Sequence, residues 1–582
     1  MAGIKAIVFN TIFLIILNVV SANVQVKTNS GVVEGIEVKS ILKDEKYYSF
    51  LGIPYGEPPV EDLRFMPPKP HKNWEGVLAA KKEKKPCAQF NFAIRDTSEY
   101  GFYGVEDCLH LSIHTPKIPS TSQNVNLPII VLFINEQFRV MPNISKEFGP
   151  DFFMKEGVII VSVNHRLASL GFLSMEDDLL PGNNGLRDVI LALKWIKDNI
   201  HNFGGNPNKI TLMGQQEGAV LVEILLHSPK AKGLYHGAIL QSGTVWNSLY
   251  FTGKARERAI EFSKQMEEHA TTTTFMLKRF ADVPAEKLLD SEHMAVHADE
   301  ARAIQRGIIP FGPVIEHDHP EAIITKLPEE GLVNIEVPIM IGYTSREALE
   351  ANKNFFVRPQ FLTYADRDFL VMIPIRAGFH FTVNDKIYFR AVKDIKDFYF
   401  DEGYVKNSKP GEYITYMSDV LSFYPIDYAV RKYSKESKSD VFYYTFDFSG
   451  ELNNRKIDAL KEARNYDGTW GATVGDDLCY LFVCKKIKKA YKEAMEQNDS
   501  EEMQVLDNMV RMWTNFAKTG NPTPPGDKFT WKPATPENKE CLLINEELQM
   551  KTKLHEDRVK FWDDWIKKYK EMAKDSVVKD EL

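Results

Sequence analysis

The chain predicts an α/β fold with a large, mostly parallel central sheet flanked by helices, and three observations carry that reading. Short apolar runs of strand length alternate with longer segments of helical periodicity. The strand-like runs are nearly continuous in apolar residues, as strands buried on both faces are. One of them passes into a helix through a five-residue bend with glycine at both ends, Gly214-Gln215-Gln216-Glu217-Gly218.

Each element follows from its residues. Pro128 to Phe133 is a buried strand that leads into Ile134-Asn135-Glu136-Gln137-Phe138. Val158 to Val163 is another, bounded by Glu156-Gly157 before it and Asn164 after it. Asp188 to Ile200 has helical spacing, with Ile190, Leu191, Leu193, Trp195 and Ile196 on an apolar face. Lys209 to Met213 is the strand before the bend, and Ala219 to Glu223 begins the helix after it. This strand–helix–strand order implies parallel pairing through right-handed crossovers. Ala238 to Leu240 and Val337 to Ile341 add core strands, and Lys254 to Leu289 reads as helices. Pro374 to Tyr428 is mixed and rich in aromatics, among them Phe379, Phe381, Tyr388, Phe389, Phe398, Tyr399 and Phe400, most of which should pack a core. Lys485 to Glu502 reads as an exposed helix and loop. Functional loops of such a sheet gather at the carboxyl ends of its strands.

Composition sets outer limits. Hydrophobic residues make up 44% and charged residues 26% of 582 positions, an ordinary globular balance without repeats or low-complexity linkers. The net charge of −8 gives no electrostatic case for nucleic-acid binding. Lys81-Lys82-Glu83-Lys84-Lys85 is then a solvated loop and not a binding patch. No ligand spacing suggests a metal site, and no cofactor motif is present.

The glycine-flanked bend has the frame of a nucleophile elbow, G-x-S-x-G, at a strand-to-helix turn. Its central residue is Gln216, an amide with no hydroxyl for a base to deprotonate. Other runs fall around it in a recognisable order: Phe50-Leu51-Gly52-Ile53-Pro54-Tyr55-Gly56, Glu106-Asp107-Cys108-Leu109, Val163-Asn164-His165-Arg166-Leu167, Gly182-Asn183-Asn184-Gly185, Asn202-Phe203-Gly204-Gly205-Asn206-Pro207, Gln241-Ser242-Gly243, Gly475-Asp476-Asp477-Leu478 and Gly520-Asn521-Pro522. Through these the chain resembles the type-B carboxylesterase/cholinesterase family from about residue 24 to residue 568. The resemblance implies the α/β-hydrolase fold with helical insertions around a gorge. It also implies a Ser–Glu–His triad, whose positions fall on Gln216, Glu347 and Val474. An isopropyl group at Val474 neither accepts nor relays a proton. The family's oxyanion glycines fall on Asn135, Glu136 and Gln137, where Glu136 brings a negative charge against a developing oxyanion. Ser242 belongs to a structural match, and His165 reads as a packed core side chain.

The termini and cysteines concern compartment. Lys5, an apolar stretch from Ala6 to Val20, and Val20-Ser21-Ala22 form a signal peptide over residues 1–22. Residues 23–568 then make one hydrolase-like domain. Residues 569–582 form a C-terminal tail ending in Lys579-Asp580-Glu581-Leu582, a receptor-read address for the endoplasmic reticulum. A lumenal protein with no membrane span after signal cleavage is expected, with the retrieval receptor among its partners. Sequons place N-glycans at Asn143 and Asn498. The resemblance implies a disulfide between Cys87 and Cys108. Cys479 and Cys484 lie in an apolar stretch, so buried free thiols are the default there, and Cys541 is a further cysteine.

These readings favour a non-catalytic, esterase-like protein of the lumen that binds a lipophilic small molecule or a lumenal protein. A second reading is a hydrolase of the carboxylic ester class with a rearranged acid/base site, drawing on Gln216, Glu217, Glu136 and Glu347. A third, an adhesion module as in other inactive relatives, is opposed by the retrieval address and the missing membrane span.

Overall fold

The computed structural model describes residues 23–91, 101–120, 125–251, 253–331, 335–497 and 499–579. The signal peptide at 1–22, the sequon residue Asn498 and the final Asp580-Glu581-Leu582 lie outside them.

Thirteen strands join in one sheet. One flank is antiparallel: β1 (Asn23–Lys27), β2 (Val32–Lys39), β3 (Lys46–Pro54) and β5 (His110–Thr115), with the short β4 (Val77–Ala79) attached to β2. The centre is parallel: β6 (Leu127–Asn135), β7 (Ile159–Val163), β8 (Gly205–Gln216), β9 (Gly237–Gln241), β10 (Ile339–Thr344), β11 (Val441–Phe446) and β12 (Cys541–Ile544). β13 (Leu548–Lys551) closes the far edge antiparallel to β12. All residues of β7, β9, β10 and β11 are buried, which is why their sequences run apolar without alternation.

The spatial order in the centre is β7-β6-β8-β9. The chain therefore goes to one side of β6 for β7 and to the other for β8. Such a reversal opens a crevice at the carboxyl ends of the two strands that part. Here those ends are Asn135 and Gln216, which are register partners across β6 and β8.

Helices cover the faces. α1 (Asn184–Asn199) buries Leu186, Val189, Leu193 and Ile196, and also Asp188, which forms a buried ion pair with Arg166 at 2.7 Å. α2 (Glu217–His227) is buried along nearly its whole length, with Glu217 and Glu223 enclosed among its apolar residues. A second core lies in the insertion, where Phe379, Phe381, Tyr388 and Tyr399 pack with Trp562, Trp565 and Tyr569. Most aromatics of 374–428 are thus core, as expected, while Phe389, Phe398 and Tyr404 stay exposed. Residues beyond 568 keep regular structure. A helix continues to Glu571, and Val577–Val578 pair with His380–Phe381, with Val578 fully buried.

Cys87 and Cys108 are bonded. The reading of Cys479 and Cys484 as free thiols is corrected: they are bonded to each other. A single 3₁₀ turn over Asp476–Tyr480 followed by the strand Val483–Cys484 brings their Cα atoms to 5.4 Å, well within bridging distance. Cys541 is free and buried in β12. Among the described residues no helix is long and apolar enough to cross a membrane, and no cluster of side chains could hold a metal ion.

Candidate functional site

The elbow is built by sterics before chemistry. Gln216 sits at φ 53°, ψ −120°, between the end of β8 and the first turn of α2. A side chain in that conformation is strained, and strain of this kind collects at functional turns. The turn fits only because its neighbours have no side chains. A Cβ at Gly214 would lie 2.2 Å from the Gly218 carbonyl oxygen, and one at Gly218 would lie 2.2 Å from that of Phe133. One at Gly243 would lie 2.2 Å from the Gln216 oxygen. The helix N-terminus therefore presses onto β6, and the residue at 216 is held up at the crevice.

What stands there is amide. The Gln216 Oε1, and both polar atoms of Gln215 and of Asn135, are buried and meet no hydrogen-bond partner in the protein. Unmade hydrogen bonds of this kind typically cost about 1–3 kcal/mol each. None of these groups is a nucleophile.

The segment leaving β6, Asn135 to Phe138, folds back on itself. Gln137 and Phe138 both adopt positive φ, 56° and 55°. The backbone turns back through Glu136, whose amide donates to the Val140 oxygen at 2.8 Å. The Glu136 carboxylate faces Arg455 at 3.1 Å, and the same guanidinium reaches Glu350 at 3.1 Å. Arg455 lies against Gly475, the residue after Val474. One arginine thus ties together the oxyanion segment, the loop after β10 and the loop carrying Val474. Sequence reasoning missed it, because Arg455 is 319 positions from Glu136 and stands in no motif.

Glu347 is fully enclosed in its own loop. It accepts from the Thr344 backbone amide at 2.6 Å, and the Ser242 hydroxyl stands close enough to favour its charged form. Burial pushes its pKa up to about 7, the Thr344 amide pulls it down, and the charge of Asp477 adds to the rise. Val474 is buried, and its loop is stitched to that of Glu347 through the Thr473 hydroxyl, which accepts from the Glu350 amide at 3.1 Å. The three triad positions are carried on neighbouring loops with no hydrogen bond joining them. His165 is completely buried, its Nδ1 against the Arg166 carbonyl at 3.0 Å, and is a core residue as expected.

Glu217 is the one titratable group at the elbow itself. Tyr250 donates to it at 3.0 Å. Burial pushes Glu217 up to about 7, against the backbone amide of Gln137 and the Tyr250 hydroxyl, while Glu136 adds repulsion. Glu217 and Glu136 are therefore neighbours, whereas Glu347 interacts with Asp477. Of the four residues considered for a rearranged site, only part converges. Asn143, the described sequon residue, caps a short helix by accepting from the Lys146 amide and is half-buried.

Comparison with known proteins agrees with this architecture. The family model described as the carboxylesterase family matches residues 22–562. Esterase FE4 of Myzus persicae is 27% identical over 544 residues, covering 91% of this chain and 90% of the relative. Venom carboxylesterase-6 of Apis mellifera is 28% identical over 526 residues, covering 90% of each. The crystal structure of juvenile hormone esterase from Manduca sexta, with OTFP covalently attached, superposes with a TM-score of 0.75 at 25% identity, over 94% of this chain and all of that one.

Proposed function

The chain belongs to the carboxylesterase family, and on that premise we propose that it is a non-catalytic member, resident in the lumen of the endoplasmic reticulum, which binds a lipophilic ligand or a lumenal protein without hydrolysing an ester. The observation that carries the reading is Gln216 at the apex of an intact elbow. An acyl transfer of the family type needs an oxygen that a base can deprotonate, a base that can take the proton and donors for the oxyanion. This chain offers a carboxamide, an isopropyl group and a carboxylate held by arginine. Losing a catalytic serine or histidine typically costs on the order of 10⁶-fold in turnover. Losing an oxyanion donor costs roughly 10²- to 10³-fold, and the two losses overlap.

The test is turnover of short-chain aryl esters and labelling by a fluorophosphonate, on the purified glycosylated protein. A rebuilt variant carries Gln216→Ser and Val474→His, with glycine at 135, 136 and 137. The natural protein should show neither activity, and the rebuilt one should recover both. Labelling of the natural protein would overturn the proposal, and the labelled peptide would name the true nucleophile.

A second reading has one observation in its favour. Glu217, with a pKa near 7 and a tyrosine at hydrogen-bond distance, is matched to general acid/base work beside a crevice. It predicts hydrolysis that Glu217→Gln abolishes. Turnover unchanged by that substitution would remove it.

A further inference from the structure

A cavity of about 290 Å³ has a wall that is largely aromatic and aliphatic, including Phe172, Leu249, Tyr250, Phe251, Ile309 and Phe311. None of Asn135, Glu136, Gln137, Gln216, Glu347 and Val474 lines it. Phe138 accounts for the separation. It ends the folded-back segment at φ 55°, is fully buried, and is itself outside the wall. Its ring packs edge-on against two wall residues, with centroids 5.2 Å from Phe172 and 6.1 Å from Tyr250. A Cβ at Gly312, a third wall residue, would lie 3.7 Å from the same ring. Phe138 thus stands between the cavity and the residues from Asn135 to Gln137.

Each polar side chain in the wall is already engaged. Arg258 is paired with Glu300 at 2.9 Å. The Ser174 hydroxyl donates to the Pro181 carbonyl at 3.0 Å, and that of Tyr250 to Glu217 at 3.0 Å. Glu176 and Glu330 are exposed and mark the rim, where they accept the backbone amides of Ala255 and Leu327. An acid entering here would pass two carboxylates, and an amine would come to rest beside a guanidinium. Either would lose its water without gaining a counter-ion of its own. An uncharged molecule meets neither cost and gains from burying its apolar surface.

We propose that this cavity binds a compact, uncharged, ring-shaped apolar molecule, and that Phe138 is the partition that limits its size and keeps it from the elbow. The proposal deepens the non-catalytic reading and rests on it only for the absence of turnover. The volume lies near the lower end for ligand pockets, which suits two fused rings better than three. Flat aromatic walls favour a ring over a flexible chain, because rings stack on them and a rigid ligand loses less freedom on binding. Tyr250 serves both sides of the partition: its ring lines the cavity while its hydroxyl holds Glu217.

The experiment is titration calorimetry on the mature, glycosylated chain with three ligands of nearly one shape: 2-acetylnaphthalene, 2-naphthoate and 2-naphthylmethylammonium. The ketone should bind saturably at one site, and the acid and the amine at least about tenfold more weakly. Leu249→Trp, which fills the cavity, should remove ketone binding. The three-ring ketone 2-acetylphenanthrene should be refused by the natural protein and admitted by Phe138→Ala, which takes the partition away. Thermal melts establish that each variant is folded, and if Phe138→Ala does not fold, the ligand series and Leu249→Trp decide the site. Acid or amine binding as tightly as the ketone would overturn the uncharged class. Ketone binding unchanged in Leu249→Trp, or no saturable binding at all, would overturn the cavity as its site. Admission of the three-ring ketone by the natural protein, or its refusal by folded Phe138→Ala, would overturn the partition. The ketone has no ester bond, so all of these outcomes are read whether or not the protein turns over aryl esters, and only that turnover would overturn the non-catalytic reading.

Discussion

A methyl group on Gly218 would meet the Phe133 carbonyl oxygen at 2.2 Å, with backbone on both sides of the clash. Gly218→Ala should therefore destabilise the fold by about 1–3 kcal/mol in urea unfolding. Gln216→Ser, which changes only the side chain at the apex, should shift the midpoint little. Glu217 allows a sharper test. Its pKa is raised from 4.5 to about 7 in the fold. The folded state then holds a proton that the unfolded state releases between those values, so this group's contribution to stability falls as pH rises through that window and stays reduced above it. Glu217→Gln keeps an acceptor for Tyr250 and removes the titration. The variant should gain on the natural protein at pH 8 relative to pH 4.5, by up to about 3 kcal/mol. A difference that does not change with pH would show that Glu217 is not perturbed. The elbow frame was readable in the sequence because its glycines are fixed by local clashes. The burial of Glu217 against Tyr250 was not, since it depends on a side chain 33 positions away.

At the scale of elements, the central strands were legible because burial on both faces writes itself as an unbroken apolar run. Helices after Lys254 were legible by their period. The Cys479–Cys484 bridge was misread for a related reason. An apolar stretch states that a thiol is buried, and it does not state which way two neighbouring Cβ atoms point. Replacing both cysteines by serine should cost about 2 kcal/mol, less than the roughly 3 kcal/mol of the longer Cys87–Cys108 loop, since chain-entropy stabilisation grows with loop length. Paired urea titrations of the two double variants measure that order. The Glu136–Arg455–Glu350 link was invisible for the opposite reason: it exists only once three loops from distant parts of the chain meet at the strand ends.

At the scale of the molecule, the paired strands near the C-terminus end just before the proposed address begins. Val577 and Val578 pair with the strand at His380–Phe381, while the proposed retrieval address extends only from Lys579 onward. Truncation after Lys579 should leave the melting temperature unchanged and send the protein into the medium of expressing cells. The full chain should stay inside with glycans sensitive to endoglycosidase H. Retention of the truncated form would sink the proposed location. The sequence announced the architecture through many short motifs, and the residues at the elbow with it. The aromatic cavity and its arginine could be seen only after folding, because their residues come from four separated stretches. Cys541 gives this molecule one further property. It is a lone thiol sealed inside a strand near the far edge of the sheet, while the other four cysteines are bonded in pairs. A thiol-reactive dye can reach it only when β12 separates from its neighbours, so the labelling rate in native buffer counts the opening events of the sheet itself. The natural sequence thus carries its own unfolding clock, one that needs no engineered reporter because its paired cysteines stay silent.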